Sequence, residues 1–279
     1  CLALVGESGC GKSTLGRTLI QLHKPTSGDV WYKDVKISAM KPAEFAPYRR
    51  QMQMIFQDPY ASLDPRMNVR DIIAEPLVTY KVCENKEALT KRVLELMDAV
   101  GVPRDFLYRY PHQFSGGQRQ RIGIARAIAL HPSLVICDEP VSALDVSVQS
   151  QVLNLLKDIQ AQYGLTYLFI SHDLSVVRFI SNRVCVMFLG KICEIGDSSL
   201  IYEKPLHPYT KFLMNAIPIA DPHLRGEEKT LLEGEIPSPI NPPKGCRFHT
   251  RCPYATEKCR TEEPALREVE GRRVACHLA

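Results

Sequence analysis

A glycine-rich segment close to the start of the chain carries the residue types that bind phosphate. The segment reads GESGCGKST, follows the apolar stretch LALV and fits the pattern G-x4-G-K-[ST]. Its glycines allow backbone N–H groups to close around phosphate oxygens, Lys12 adds a positive charge, and the Ser13 hydroxyl suits Mg²⁺. The predicted nucleotide-binding residues are Gly6, Glu7, Ser8, Gly9, Cys10, Gly11, Lys12, Ser13 and Thr14.

Two adjacent carboxylates end a second apolar stretch, LVICDE. Four apolar residues followed by Asp138 predict a buried strand whose terminal carboxylate holds Mg²⁺ through its water shell. Glu139, beside it, is suited to polarise an attacking water molecule. Considered alone, Glu139 fits a helix-capping acid better. Together with the glycine-rich loop, the pair predicts the hydrolysis of a nucleotide.

The segment FSGGQRQR predicts a second anion site. Ser115 is a typical N-cap residue, and two glycines at the start of the following helix leave its N–H groups accessible to an anion. On its own, the segment is explained equally well by an ordinary capped helix. Because it lies 17 residues before the LVICDE strand, it cannot be part of the anion site at residues 6–14 and predicts a separate site made of Ser115, Gly116, Gly117 and Gln118.

The elements that must position these residues alternate along the chain. The apolar stretches LALV, MQMIF, LVICD, TYLFIS, RVCVMF and ICEIG predict strands. Helices are predicted from Lys12 to about Leu22, from Gly116 to Leu130, and over NVRDIIAEPLVTY, KEALTKRVLELMDAVG, VQSQVLNLLKDIQAQ and LSVVRFI. This alternation predicts an α/β fold with a parallel sheet covered on both faces. After about Ile217 the chain becomes proline-rich and loses its periodicity, so this tail cannot build much of a core by itself.

Composition limits the remaining function classes. With 279 residues, of which 45% are hydrophobic, the chain can bury a full core. The net charge of +4 is spread along the chain, so nothing demands a nucleic-acid partner. No run of eighteen apolar residues predicts a transmembrane helix, and the start does not read as a secretory signal. The ten cysteines are better explained by free thiols or metal ligation than by disulfides.

Six motifs occur in an order that resembles the nucleotide-binding subunit of an ABC transporter. They are GESGCGKST, Gln57 in MIFQD, FSGGQ, LVICDE, SALD ending at Asp145, and His172 in ISHD. The resemblance covers residues 1–215 and implies a P-loop ABC-type domain with a helical subdomain at about 62–130. Two such domains would face each other head to tail, with each ATP between the glycine-rich loop of one and the SGGQ segment of the other.

The resemblance also implies a role for individual residues. Gln57 would reach the Mg²⁺ and the attacking water, Glu139 would be the general base, and His172 would contact the γ-phosphate. Asp145 would lie at the dimer seam. The family carries an adenine-stacking aromatic residue upstream of the glycine-rich loop; because the chain begins inside a strand, we expect that residue and the N-terminal strands to be missing.

Longer stretches, such as IFQDPYASLDPRMNVRDIIAEPL and EKPLHPYTKFLMNAIP, resemble the F-type ATPases of oligopeptide and dipeptide importers. That resemblance implies a peripheral protein at the cytoplasmic face of the membrane. Its partners would be a second, homologous and non-identical ATPase, two integral membrane permease subunits and, indirectly, an extracytoplasmic solute-binding protein. An importer of nickel or another solute is the alternative. A soluble ABC ATPase acting on DNA or ribosomes is disfavoured, because the helical section holds no long insertion and the chain has one set of motifs.

Four cysteines close to the C-terminus form the last candidate site. Their spacing contains no C-x2-C pair, so it is not that of a typical zinc ribbon. Some peptide-importer ATPases hold a [4Fe–4S] cluster with a similar set of cysteines, and the resemblance implies such a cluster here. Zn²⁺, unligated thiols and disulfides are the alternatives. The candidate ligands, in a C-terminal extension over residues 216–279, are Cys246, Cys252, Cys259 and Cys276.

Overall fold

The computed structural model describes residues 1–217 and 237–279 of the chain. These residues form two compact units. The first unit comprises Cys1–Lys12 and Phe169–Ala279, and the second unit comprises Ser13–Leu168. Part of the proline-rich tail predicted from the sequence, residues 218–236, lies outside the described residues.

Strands and helices alternate through most of the described chain. The strands are β1 (Leu2–Val5), β2 (Trp31–Tyr32), β3 (Val35–Lys36), β4 (Met52–Ile55), β5 (Leu134–Asp138), β6 (Thr166–Ser171), β7 (Arg183–Phe188), β8 (Lys191–Asp197), β9 (Arg267–Val269) and β10 (Arg272–Val274). The helices are α1 (Lys12–Leu19), α2 (Pro42–Gln51), α3 (Val69–Thr79), α4 (Lys86–Ala99), α5 (Gly116–Ile128), α6 (Val146–Tyr163), α7 (Leu174–Ile180), α8 (Ser198–Glu203), α9 (Pro208–Asn215) and α10 (Glu257–Thr261). Two short 3₁₀ turns precede α5. The α/β alternation predicted from the sequence is therefore present.

In the second unit, two parallel strands and a group of helices share the apolar core. β4 and β5 pair in parallel, with Met52 opposite Leu134. Both strands are mainly apolar and are buried along most of their length, as expected for strands of a covered parallel sheet. Asn68 and Asn85 are the N-cap residues of helices α3 and α4, and their side chains accept hydrogen bonds from backbone N–H groups in the first turn. Helix α5 packs against α3, α4 and β4.

In the first unit, the strand order is β1-β7-β8-β10-β9. The pairing of β1 with β7 is parallel, whereas β8 runs antiparallel to both β7 and β10, and β9 runs antiparallel to β10. The parallel pairing predicted from the sequence is therefore present between β1 and β7, as it is between β4 and β5, and the sheet becomes antiparallel from β8 onward. The physical reason is the short turn at Leu189 and Gly190, both with positive φ, because a connection this short can join only antiparallel strands.

The described C-terminal residues pack within the first unit. β10 pairs with β8, and Phe248 is 1% exposed in a cluster of aromatic rings with Phe188 and Tyr209. Arg272 and Glu194 form an ion pair that is almost completely buried. The sequence indicates that this tail builds little core by itself; the structure shows that it adds its apolar residues to the core of the first unit.

Two local predictions differ from the structure. Helix α1 ends at Leu19 and not at Leu22, because Gln21 adopts a left-handed conformation and the Leu22 N–H turns back to the Arg17 carbonyl. Helix α2 was not predicted, since its sequence contains Pro42 and Pro47 and two prolines this close together resemble a loop. Pro42 is favourable at the first position of the helix.

Candidate active site

The lysine of the glycine-rich loop donates hydrogen bonds to the backbone of the same loop. Lys12 is 5% exposed, and its Nζ donates hydrogen bonds to the carbonyl oxygens of Gly6, at 2.8 Å, and Glu7, at 3.0 Å. The Cys10 N–H also donates to the Glu7 carbonyl, at 3.3 Å. These bonds close the loop into a compact ring just before α1 begins. Ser8 and Gly9 are exposed at its tip.

Glycine is required at the first position of the loop. Gly6 has a φ of 154°, and a Cβ atom there would lie 2.1 Å from the carbonyl oxygen of Met187. No side chain fits at that distance. Gly9 and Gly11 also have positive φ values, of 78° and 103°, which favour glycine. The spacing of the loop glycines thus reflects the backbone path, as expected for a loop whose N–H groups must face an anion.

Glu7 is held in place by residues that the sequence did not indicate. Its backbone N–H donates to the Tyr209 hydroxyl at 2.9 Å. Its carboxylate accepts hydrogen bonds from Nη1 of Arg251, at 2.9 and 3.1 Å. Tyr209 and Arg251 lie 202 and 244 residues further along the chain, and no local pattern in the sequence could have revealed these contacts.

In the second unit, Ser13 meets the end of β5. The Ser13 hydroxyl donates to Oδ1 of Asp138 at 2.6 Å, and the Asp138 side chain is completely buried. The other carboxylate oxygen, Oδ2, has no hydrogen-bond partner in the described part of the chain and lies 3.6 Å from Nη2 of Arg17. A buried carboxylate oxygen without a hydrogen bond beside a hydroxyl is the oxygen donor set that Mg²⁺ prefers, so these residues fit the predicted ion. Arg17 is a neighbour that the sequence analysis missed.

Glu139 and Gln57 also come together. Nε2 of Gln57 donates to Oε2 of Glu139 at 2.9 Å, although the two residues are far apart in sequence. Glu139 is half-buried and has a φ of 45°, a left-handed conformation that is uncommon for a residue with a side chain. Such backbone strain is found most often at functional sites, where the surroundings hold the residue in position.

The segment Ser115–Gln118 forms a capping box at the start of α5. The Ser115 N–H donates to Oε1 of Gln118, and the Gln118 N–H donates to Oγ of Ser115. Gly117 has a further reason to be glycine, since a Cβ there would lie 2.4 Å from Cγ1 of Val148 in α6. Ser115 is exposed, and Gly116 and Gln118 are partly exposed. The hydrogen bonds of this box thus stay within its own helix, and Gly117 allows a close approach to Val148 of α6.

The remaining predicted nucleotide residues lie at exposed positions. Asp145 is the N-cap residue of α6, but its side chain makes no capping hydrogen bond; its carbonyl accepts from the Gln149 N–H at 2.8 Å. His172 lies between β6 and α7 and is followed by Asp173, which caps α7. Thr14, in the first turn of α1, is exposed as well.

The four C-terminal cysteines lie near one another in the first unit. Burial raises the pKa of Cys246 to about 11, and the neighbouring thiols of Cys259, Cys276 and Cys252 contribute to that rise. The Cys246 N–H donates to the Cys259 carbonyl at 2.8 Å. Across residues 1–217 and 237–279, however, no three or more His, Cys, Asp or Glu side chains are arranged to hold a metal ion. The iron–sulfur cluster stays a prediction.

Comparison with known proteins places these residues in a family. The family profile described as "ABC transporter" matches residues 1–142, which contain the glycine-rich loop, the SGGQ segment and the β5 carboxylates. The chain belongs to the ABC transporter family. A second profile, described as the C-terminal region of oligopeptide/dipeptide transporters, matches residues 193–259 of this ABC protein.

Relatives of this ABC protein match almost its whole length. The putative oligopeptide transport ATP-binding protein YkfD of Bacillus subtilis is 57% identical, over 99% of this chain and 84% of its own length. The oligopeptide transport ATP-binding protein OppF of Escherichia coli is 54% identical, over 99% and 83%. The dipeptide transport ATP-binding protein DppF of Haemophilus influenzae is 52% identical, over 99% and 84%.

Solved structures share the ABC fold. A dimeric ATP-binding cassette in a post-hydrolysis state, bound to ADP and phosphate, aligns with a TM-score of 0.64 and 31% identity, over 71% of this chain and 84% of its own. CbiO1 of Clostridium perfringens, part of an ABC transporter complex, aligns with a TM-score of 0.66 and 27% identity, over 73% and 80%. The P-loop ABC-type α/β fold predicted from the sequence is confirmed.

Proposed function

We propose that this ABC protein binds and hydrolyses ATP to power an importer of oligopeptides or dipeptides. The observation that carries this proposal is that relatives named for oligopeptide and dipeptide transport match 99% of the chain at more than 50% identity. The match includes the C-terminal region, which a family profile for these transporters also recognises. Within the chain, we propose an ABC domain over residues 1–215, with a helical subdomain at about 62–130, and an extension over residues 216–279.

The proposed reaction uses the residues of the two predicted motifs. The loop Gly6–Thr14 would bind the ATP phosphates, and Lys12 would add its charge to the backbone N–H groups. Ser13, Asp138 and Gln57 would hold Mg²⁺, which supplies charge stabilisation for the transferring phosphoryl group when bound. Glu139 would take a proton from water as the water oxygen attacks the γ-phosphorus and ADP leaves. His172 would contact the γ-phosphate.

The assembly would contain further chains. We propose that Ser115, Gly116, Gly117, Gln118 and Asp145 meet the nucleotide of a second, homologous ATPase across a dimer seam. Two membrane permease subunits would convert closing and opening of that dimer into solute movement, after delivery by an extracytoplasmic binding protein. No helix among the residues that the structure describes is long and apolar enough to cross a membrane. A peripheral position at the cytoplasmic face of the membrane, beneath the permeases, follows from the proposed assembly.

Uptake assays in cells test which solute is transported. A strain that lacks this chain is expected to lose uptake of labelled dipeptide or pentapeptide and to regain it with the wild-type chain. Complementation with Lys12→Ala should restore none, whereas Lys24→Ala, which changes an exposed lysine outside the loop, should restore all of it. Loss of labelled nickel-chelate uptake, with peptide uptake unchanged, would favour the alternative importer. Unchanged uptake of all three solutes would remove the importer assignment.

We also propose that Cys246, Cys252, Cys259 and Cys276 hold a metal group, a [4Fe–4S] cluster in preference to Zn²⁺. Burial and the neighbouring thiols raise the pKa of Cys246 and of Cys252, so the four sulfur atoms lie near one another. Four thiolates are the right donors in number and chemistry for such a cluster. Anaerobic purification should give a coloured protein that contains iron. Cys259→Ser should lose the iron, whereas Cys83→Ser, which lies outside the extension, should keep it. A colourless protein loaded with zinc would overturn the cluster, and one without iron or zinc would overturn metal binding altogether.

A further inference from the structure

We propose that Arg251, in the C-terminal extension, is a positioning residue for the phosphate-binding loop and sets its affinity for the triphosphate of ATP. It would act through Glu7, whose negative charge it neutralises. This inference rests on the proposed ATP-binding function. It assigns a role in nucleotide binding to a segment that lies outside the nucleotide motifs.

Glu7 stands out in the loop because all of its polar groups are engaged. Its carbonyl accepts from Lys12 and Cys10, its N–H donates to the Tyr209 hydroxyl, and its carboxylate accepts from Arg251. The Arg251 side chain is only 7% exposed and that of Glu7 is 23% exposed. The ion pair is therefore largely removed from water. Loss of one partner of a buried pair is more costly than loss of one partner at the surface, because it leaves an uncompensated charge.

The position of Arg251 is fixed by the packing of its own turn. Phe248, three residues earlier, is 1% exposed and packs against the rings of Phe188 and Tyr209, whose centroids lie 5.3 and 5.2 Å from its own. The Arg251 N–H donates to the Phe248 carbonyl at 3.0 Å, which closes the turn over the buried ring. The same Tyr209 that packs on Phe248 holds the Glu7 N–H. One small cluster thus fixes both the backbone and the charge of Glu7.

The charge of Glu7 is unfavourable for the proposed ligand. A carboxylate in the phosphate-binding loop repels the negatively charged triphosphate, and partial burial strengthens that repulsion. The positive charge of the paired Arg251 cancels most of this repulsion. If Arg251 is removed, the carboxylate stays in the loop without its counter-charge. The expected consequence is weaker binding of MgATP with little change in the chemical step, because the proposed base Glu139 is unaffected.

Steady-state kinetics of the assembled transporter test this role. Arg251→Ala is expected to raise the KM for MgATP about tenfold, with kcat within about twofold of wild type. Arg251→Lys keeps the charge and should recover most of the affinity. The matched control is Arg260→Ala, which removes an exposed arginine from α10 in the same extension and should leave KM unchanged. The rise in KM should shrink in high salt, since added ions screen the repulsion.

A double-mutant cycle separates this role from a structural one. In a Glu7→Gln background there is no carboxylate to neutralise, so Arg251→Ala should raise KM by less than about twofold. Glu7→Gln alone leaves the arginine charge unbalanced and should lower KM, which gives a second test if Arg251→Ala folds poorly. Equal increases in KM in both backgrounds, or an unchanged KM in Arg251→Ala, would overturn the proposal.

A failure of the proposed ATP-binding function would give a different experimental result. If Lys12→Ala hydrolyses ATP like the wild type, the assignment of the phosphate-binding loop is wrong, and the inference about Arg251 falls with it. If Lys12→Ala is inactive while Arg251→Ala keeps the wild-type KM at every salt concentration, only the inference about Arg251 is overturned.

Discussion

Lys12→Ala is expected to reduce ATP hydrolysis by the assembled transporter about 100-fold or more. Lys12 is buried, and its ammonium group already holds two carbonyls of the loop, on Gly6 and Glu7. Alanine removes the positive charge that would face the phosphates and also the two hydrogen bonds that close the loop. Both losses act on the same step, because a loop that is open and uncharged can neither bind the triphosphate nor stabilise its developing charge.

The measurement is phosphate release at saturating MgATP, together with equilibrium binding of MgATP. Lys24→Ala removes the same type of side chain from an exposed position after α1 and should behave as wild type. Thermal unfolding of both variants shows whether the loss comes from the site or from the fold. Undiminished turnover in folded Lys12→Ala would contradict the assignment of the phosphate-binding loop.

Motifs with a local signature could be predicted from the sequence. The loop glycines follow the apolar strand β1, and the carboxylate of Asp138 ends the apolar strand β5, so both sites follow from short stretches of chain. Strands β7 and β8 were visible as apolar runs, but their direction was not. That direction depends on the turn at Leu189 and Gly190, and Leu189 is a residue that rarely adopts a left-handed conformation.

Contacts between distant segments could not be predicted. No pattern near Glu7 in the sequence indicates Tyr209 or Arg251, since a hydroxyl 202 residues away and a guanidinium 244 residues away carry no periodic signal. The same limit applies to Gly117, which the sequence explains as an anion contact. Its close approach to Val148 became evident only from the packing of α5 on α6. Tertiary packing thus gives a second reason for a residue type that the local sequence already explained.

Glu139→Gln is expected to reduce ATP hydrolysis about 1,000-fold while MgATP binding is retained. Glutamine has nearly the same shape as glutamate, so its side-chain oxygen can still accept the hydrogen bond from Nε2 of Gln57, now 2.9 Å long. It imposes the same demand on the left-handed backbone at position 139. The amide cannot take a proton from water, and the variant therefore separates proton transfer from nucleotide binding.

A stable dimer of ATPase subunits is the second expected result for this variant. If ATP closes the dimer and hydrolysis reopens it, a variant that binds ATP without cleaving it should remain closed. Size-exclusion chromatography with MgATP should then show the dimer for Glu139→Gln, but not for Glu84→Gln, an exposed glutamate outside the site. Persistent hydrolysis without a dimer would exclude Glu139 as the base. Loss of MgATP binding would instead show that the Glu139 carboxylate contributes to the binding of MgATP itself. Removal of a base that acts only in the transition state leaves binding intact.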